Sequence, residues 1–280
     1  MELPVHLAYP RTMLAAAAIA LASTTLVTVY ALMLSRAGMS ATAAPLLVVL
    51  LASTLSSIAG FAFSAICGAM LLQLINDPVR VVEIMMVCSI AIQSLSVAVL
   101  RRDIDWRRLA PFLAGGAVGV PFGVELLLHL GHGGFRQVIG GLLTIYAAYV
   151  LLKRPLTVAV HGTAIDVGVG FLGGITGGLA GFPGAAVTIW CGMRGWDKQR
   201  QRGIYQPFIL IMQVLGVVLI EVIRMSSARG QGPGLPSLQF VPVALLGTWF
   251  GLAIFRRLSD RVFTCAVNLL LLASGIGLLI

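Results

Sequence analysis

The chain is a succession of apolar runs, most of them close to the roughly 20 residues that a helix needs to cross a bilayer, with charged residues clustered between them. In hydrocarbon every backbone amide must be paired internally, which leaves a helical bundle or a closed barrel. Barrel strands alternate polar and apolar residues over short stretches, whereas these runs are continuous. The 32 glycines suit close helix packing in lipid. At 59% hydrophobic and 10% charged residues, with a mean hydropathy of +0.99, the chain carries more apolar surface than one water-soluble core can hide. The reading is an all-α polytopic membrane protein.

The net charge of +9 would suggest nucleic acid in a soluble domain. Here most arginines end apolar runs, which is the pattern of positive-inside topology, and no nucleic-acid partner is expected. Cys67, Cys88, Cys191 and Cys265 lie in or beside apolar runs without Cys-x-x-Cys spacing, so they give neither a metal site nor a disulfide framework.

A first span over residues 12–34 follows Arg11. Ala20-Leu21-Ala22 resembles a signal cleavage site, but the length of the run favours a retained helix. Residues 45–75 are apolar for too long to be one straight crossing and are interrupted at Gly60. Single crossings fit 81–100, 109–130 and 135–152. The order then repeats as a broken stretch at 164–193 and crossings at 204–223, 240–255 and 262–280. Gln93 falls opposite Gln213, and Gly119 and Gly123 fall opposite Gly247 and Gly251. The expected division is an N-terminal helix (1–43), a first repeat (44–154) and a second repeat (155–280) within one membrane domain.

The richest basic loops are 101–108, Lys153-Arg154, 194–202 and 256–261. All four reach the cytoplasm only if 164–193 is a hairpin that turns back. With both broken stretches as hairpins, the halves form inverted repeats, each a re-entrant hairpin plus three crossings. The N-terminus is then cytoplasmic and the C-terminus outside. If the broken stretches cross once instead, the halves run parallel.

The breaks are where chemistry is expected. Gly181-Phe182-Pro183-Gly184 cannot easily continue a helix, and Ala59-Gly60-Phe61-Ala62-Phe63-Ser64-Ala65 is its earlier counterpart. A helix starting near Pro183 loses no amide partner there, and its free N–H groups and dipole attract anions. Two such ends, Ala62–Ala65 and Pro183–Ala186, meeting near the midplane would form a small polar cup, and the candidate binding residues around it are Gly60, Ala62, Phe63, Ser64, Gly181, Phe182, Pro183, Gly184 and Ala185. The alternative is a structural kink packed through glycine. Gln93 and Gln213 either face the same cavity or join neighbouring helices. Ser64 and Thr188 either donate to the site or bond back to their own helices.

Glu125 and His129 share a helical face near a helix end, and Arg80, Glu83 and Glu221 also sit near ends where long side chains snorkel. No catalytic set is visible: Asp166 has no intramembrane aspartate partner, Ser64 has no histidine at motif spacing, and no phosphate-binding loop occurs. The chain is therefore read as a non-enzyme that needs no cofactor or metal.

Gly181-Phe182-Pro183-Gly184-Ala185-Ala186, followed by Trp190, Arg194-Gly195-Trp196-Asp197-Lys198 and Arg202-Gly203, resembles the TauE/SafE anion-exporter family, in the branch that reads Gly-x-Pro-Gly-Pro-Pro. Ala185 and Ala186 replace the two prolines, and the first-half glycine cluster has become Gly60-Phe61-Ala62-Phe63-Ser64. The resemblance runs from Pro45 to Ile280 in segment order and is sharpest over 173–203. It implies a secondary transporter in a bacterial-type inner membrane that exports sulfite or a small organosulfonate, driven by an ion gradient, with the proton a candidate ion. A small sulfur oxyanion fits a site of helix N-termini and amides without a formal cation. Transport of a carboxylate and a non-transporting scaffold role are the competing readings.

Overall fold

A computed structural model describes residues 43–56, 63–152, 162–226 and 235–255, with 272, 275, 276, 278 and 279. Several expectations lie outside the described residues: the helix at 12–34, Gly60, Phe61 and Ala62, the loops at Lys153-Arg154 and 256–261, and most of the last span. The described residues contain helices and no strand: α1 (Ala43–Ser56), α2 (Phe63–Leu71), α3 (Pro78–Leu100), α4 (Trp106–His129), α5 (His132–Leu152), α6 (Thr163–Ala180), α7 (Gly184–Met193), α8 (Lys198–Ser226), a 3-10 turn (Leu235–Phe240) and α9 (Val241–Phe255). Four of the described helices are long and apolar enough to cross a membrane: α3, α4, α6 and α8.

Helix starts follow from local chemistry. Asp77 caps α3 by accepting from the amides of Val79 and Arg80 at 3.0 and 3.2 Å, with Pro78 in the first turn. Asp197 does the same for α8, accepting from Gln199 and Arg200 at 3.0 Å each. Asp77 and Asp197 stand at the same distance before Gln93 and Gln213, so α3 and α8 match in their caps as well as in their buried glutamines. The cap also lengthens α8 beyond the apolar run at 204–223, because the polar residues from Lys198 onward continue the helix.

The contacts between elements recur in matching order. α4 packs most extensively on α6, and α9 packs on α1. α4 also touches α8, as α9 touches α3; α2 lies on α3, as α7 lies on α8; and α3 and α8 pack on each other. The α4–α6 seam is made of glycine. A Cβ at Gly115, Gly119 or Gly123 would strike the carbonyls of Val167, Phe171 and Ile175, and one at Gly170, Gly174 or Gly178 would strike those of Phe112, Gly116 and Val120. Glycine every fourth residue on both helices lets two parallel backbones touch, which compensates for the weak hydrophobic drive between helices in lipid. At the matching seam a Cβ on Gly247 would strike the Ser53 hydroxyl and the Leu50 carbonyl.

Contacts at the helix ends sort the molecule into two faces. Gln199 Nε2 donates to Asp103 Oδ2 at 3.1 Å, and the Arg108 guanidinium lies 5.8 Å from the Trp196 ring centre. The ends of α3 and α7 and the starts of α4, α6 and α8 therefore share one face, which carries the loops at 101–108 and 194–202. On the opposite face Arg224, near the end of α8, donates to Glu83, near the start of α3, at 2.6 Å and to Glu221 at 3.2 Å. Glu83 is therefore a buried ion-pair partner, its side chain 7% exposed, rather than a snorkelling helix-end residue. Glu125 and His129 do take the solvated position, 3.3 Å apart with both side chains exposed.

Candidate functional site

The second broken stretch is a hairpin. α6 stops at Ala180 because Gly181 takes a left-handed conformation at φ 61°, which glycine adopts without a Cβ penalty. The Gly181 amide donates to the Gly177 carbonyl at 2.8 Å and the Phe182 amide to that of Thr176 at 3.3 Å, so the end of α6 is capped. Pro183 then opens α7, and its ring lies where a Cβ on Gly177 would come within 2.8 Å. No side chain caps the first turn of α7, and Gly184 there is buried.

The far end of the hairpin is fastened by a buried ion pair. Asp166, in the first turn of α6, accepts from the Arg194 guanidinium at 2.7 Å and from Trp190 Nε1 at 2.8 Å. Arg194 lies 5.3 Å from the Trp190 ring centre and 5.1 Å from that of Trp196. Because the start of α6 touches the end of α7, the two helices are antiparallel and the chain comes back to the face it left.

Gln213, midway along α8, joins both breaks. Its Nε2 donates to the Gly181 carbonyl at 3.2 Å and to the Ser64 hydroxyl at 3.4 Å. All three residues are buried, and Met85 and Met86 of α3 pass 3.5 Å from the position of a Cβ on Gly181. The start of α2 and the turn before α7, remote in sequence, therefore meet at one amide.

Of the residues expected at the site, Ser64, Gly181 and Gln213 come together, and Pro183, Gly184 and Ala185 form the adjoining turn and helix start. Phe63 is buried at the start of α2, and Gln93 is buried in α3 at the position matching Gln213. Phe182 is buried beside that turn, and its ring meets Tyr146 of α5 edge-on, with centres 5.5 Å apart. Ser64 does receive a bond from a neighbouring helix. Thr188 Oγ1 is buried with no partner among the described residues. The sequence reading missed three features: the Asp166–Arg194–Trp190 cluster, the Glu83–Arg224 pair and the flanking methionines. Trp190 and Arg194, one helical turn apart, were the available signal for the first.

No group of three or more His, Cys, Asp or Glu side chains suited to a metal occurs among the described residues. Where Ser64, Gly181 and Gln213 meet, the groups present are amide and hydroxyl hydrogen-bonding groups with no formal charge.

No curated protein and no solved structure matches the chain. A family model described as Sulfite exporter TauE/SafE does, over residues 44–278. That match takes in both broken stretches, the Gln213 bridge between them and every described helix from Pro45 onward, and the chain belongs to the TauE/SafE sulfite exporter family of membrane transporters.

Proposed function

We propose that the protein is a secondary transporter that exports sulfite or a small organosulfonate through a midplane site between the two breaks. The site comprises Gly60, Ala62, Phe63, Ser64, Gln93, Gly181, Phe182, Pro183, Gly184, Ala185 and Gln213. The observation that carries this reading is the Gln213 amide, which hydrogen-bonds the start of α2 and the turn before α7 at once. A solute binding there would touch parts of both halves, as alternating access requires. The amides of the first turn of α7 carry positive dipole character toward the site, so a compact oxyanion is held without a cation.

The matching order of helix contacts supports two inverted repeats, 44–154 and 155–280, after an N-terminal helix at 1–43. One repeat moves against the other, driven by an ion gradient in which the proton is the first candidate. The face carrying 101–108 and 194–202 is cytoplasmic by the positive-inside rule, in a bacterial-type inner membrane. The N-terminus is then inside and the C-terminus outside.

Gly184→Leu places a branched side chain in the buried first turn of α7. Sulfite efflux from proteoliposomes is expected to fall at least about 100-fold, the scale on which small misplacements at a site act, while reconstitution yield stays near that of the parent. Unchanged efflux in a well-inserted variant would remove this turn from the site.

A further inference from the structure

One atom of the Gln213 amide is not accounted for by the bridge. The Gly181 carbonyl can only accept, so it fixes the NH2 end of Gln213 on its own side and decides which way the amide faces. Oε1 then lies on the other end of the same group. Gln213 is 1% exposed, and Oε1 is buried with no hydrogen-bond partner among the described residues. A buried acceptor without a donor is costly, and this one belongs to the side chain that joins Ser64 at the start of α2 to Gly181, three residues before α7 begins.

We propose that the solute carries a hydrogen-bond donor of its own: it is a singly charged oxyanion bearing an O–H or N–H, such as hydrogensulfite, and Gln213 Oε1 receives that donor. This inference rests on the reading of the cup as the solute site and specifies its selectivity. The α7 amides face the anionic oxygens, while Oε1, itself partly negative, repels an oxygen lone pair and accepts from a donor. Charge points the same way. Ser64, Gly181 and Gln213 carry no formal charge, and Arg194 lies at the far end of the hairpin, where Asp166 already neutralises it. A dianion would be buried there without a counter-charge, which is far more costly than burying a monoanion.

Sulfamate and methanesulfonate separate donor from charge and shape. Both are permanently singly charged near neutral pH and nearly the same size, but one ends in NH2 and the other in CH3. The measurement is displacement of radiolabelled sulfite from the purified full-length protein by each, at one fixed pH. Sulfamate is expected to compete about 10-fold more strongly, because a site with a buried acceptor rejects an analogue that lacks the donor. In Gln213→Met, which keeps the length of the side chain and removes the acceptor, the ratio should fall to about one. Equal displacement by the two compounds in the parent, or none by sulfamate, would overturn the proposal while leaving the site reading intact. Failure of sulfite itself to bind would overturn the site reading and this inference with it. The parent comparison needs no variant, so poor folding of Gln213→Met does not obscure the answer.

Discussion

Gly174→Val is expected to leave little or no folded protein in mild detergent. A Cβ at Gly174 would lie against the Gly116 carbonyl, carbonyl carbon and Cα, all of them backbone atoms that no rotamer change can move aside. The same holds at Gly170 and Gly178, so α6 has no neighbouring gap into which to shift. Overpacking of ordinary cores costs about 1–3 kcal/mol, and a backbone collision in the α4–α6 seam belongs at or above the top of that range. Gly168, on the same helix, has open space at its Cβ position; Gly168→Val there should fold and yield near-parental amounts. Size-exclusion profiles of the two variants check this. A monodisperse Gly174→Val protein with parental stability would mean that the α4–α6 contact is looser than described.

Arg194→Ala should cost about 3–5 kcal/mol, since it strands Asp166 in a site where neither side chain is more than 11% exposed. Trp190 Nε1 would remain as its donor, but no countercharge would. Replacing both partners together, Asp166→Leu with Arg194→Met, removes the buried charges and should recover most of the loss. The comparison of unfolding midpoints in detergent decides it: if the double variant is no better than the single one, the pair is fastening the hairpin by geometry rather than by charge compensation.

How much of this was legible beforehand depends on whether a feature is written locally. The apolar runs, the break at 181–183 and the caps are local, because length, glycine, proline and an aspartate before a helix each act over a few residues. The breaks also singled out Ser64, Gly181 and Gln213, because polar or helix-ending residues within apolar runs need a reason to be there. Partnerships across the fold were not legible. Asp166 and Arg194 lie 28 residues apart and Glu83 and Arg224 141 apart, and nothing in periodicity says which of several buried charges pairs with which. The glycines announced close packing without announcing that α4 and α6 would be the pair that uses them.

The proposed passage of a sulfur oxyanion runs through the point at which both breaks meet on Gln213. Its most direct test is sulfite efflux from loaded proteoliposomes, with and without a pH gradient, comparing the parent with Gln93→Leu/Gln213→Leu. Gradient-sensitive efflux is expected in the parent, with a loss of about 10- to 100-fold in the double variant, the scale of removing buried hydrogen-bonding groups. Efflux from the double variant equal to that of the parent, both proteins being inserted to the same extent, would contradict it.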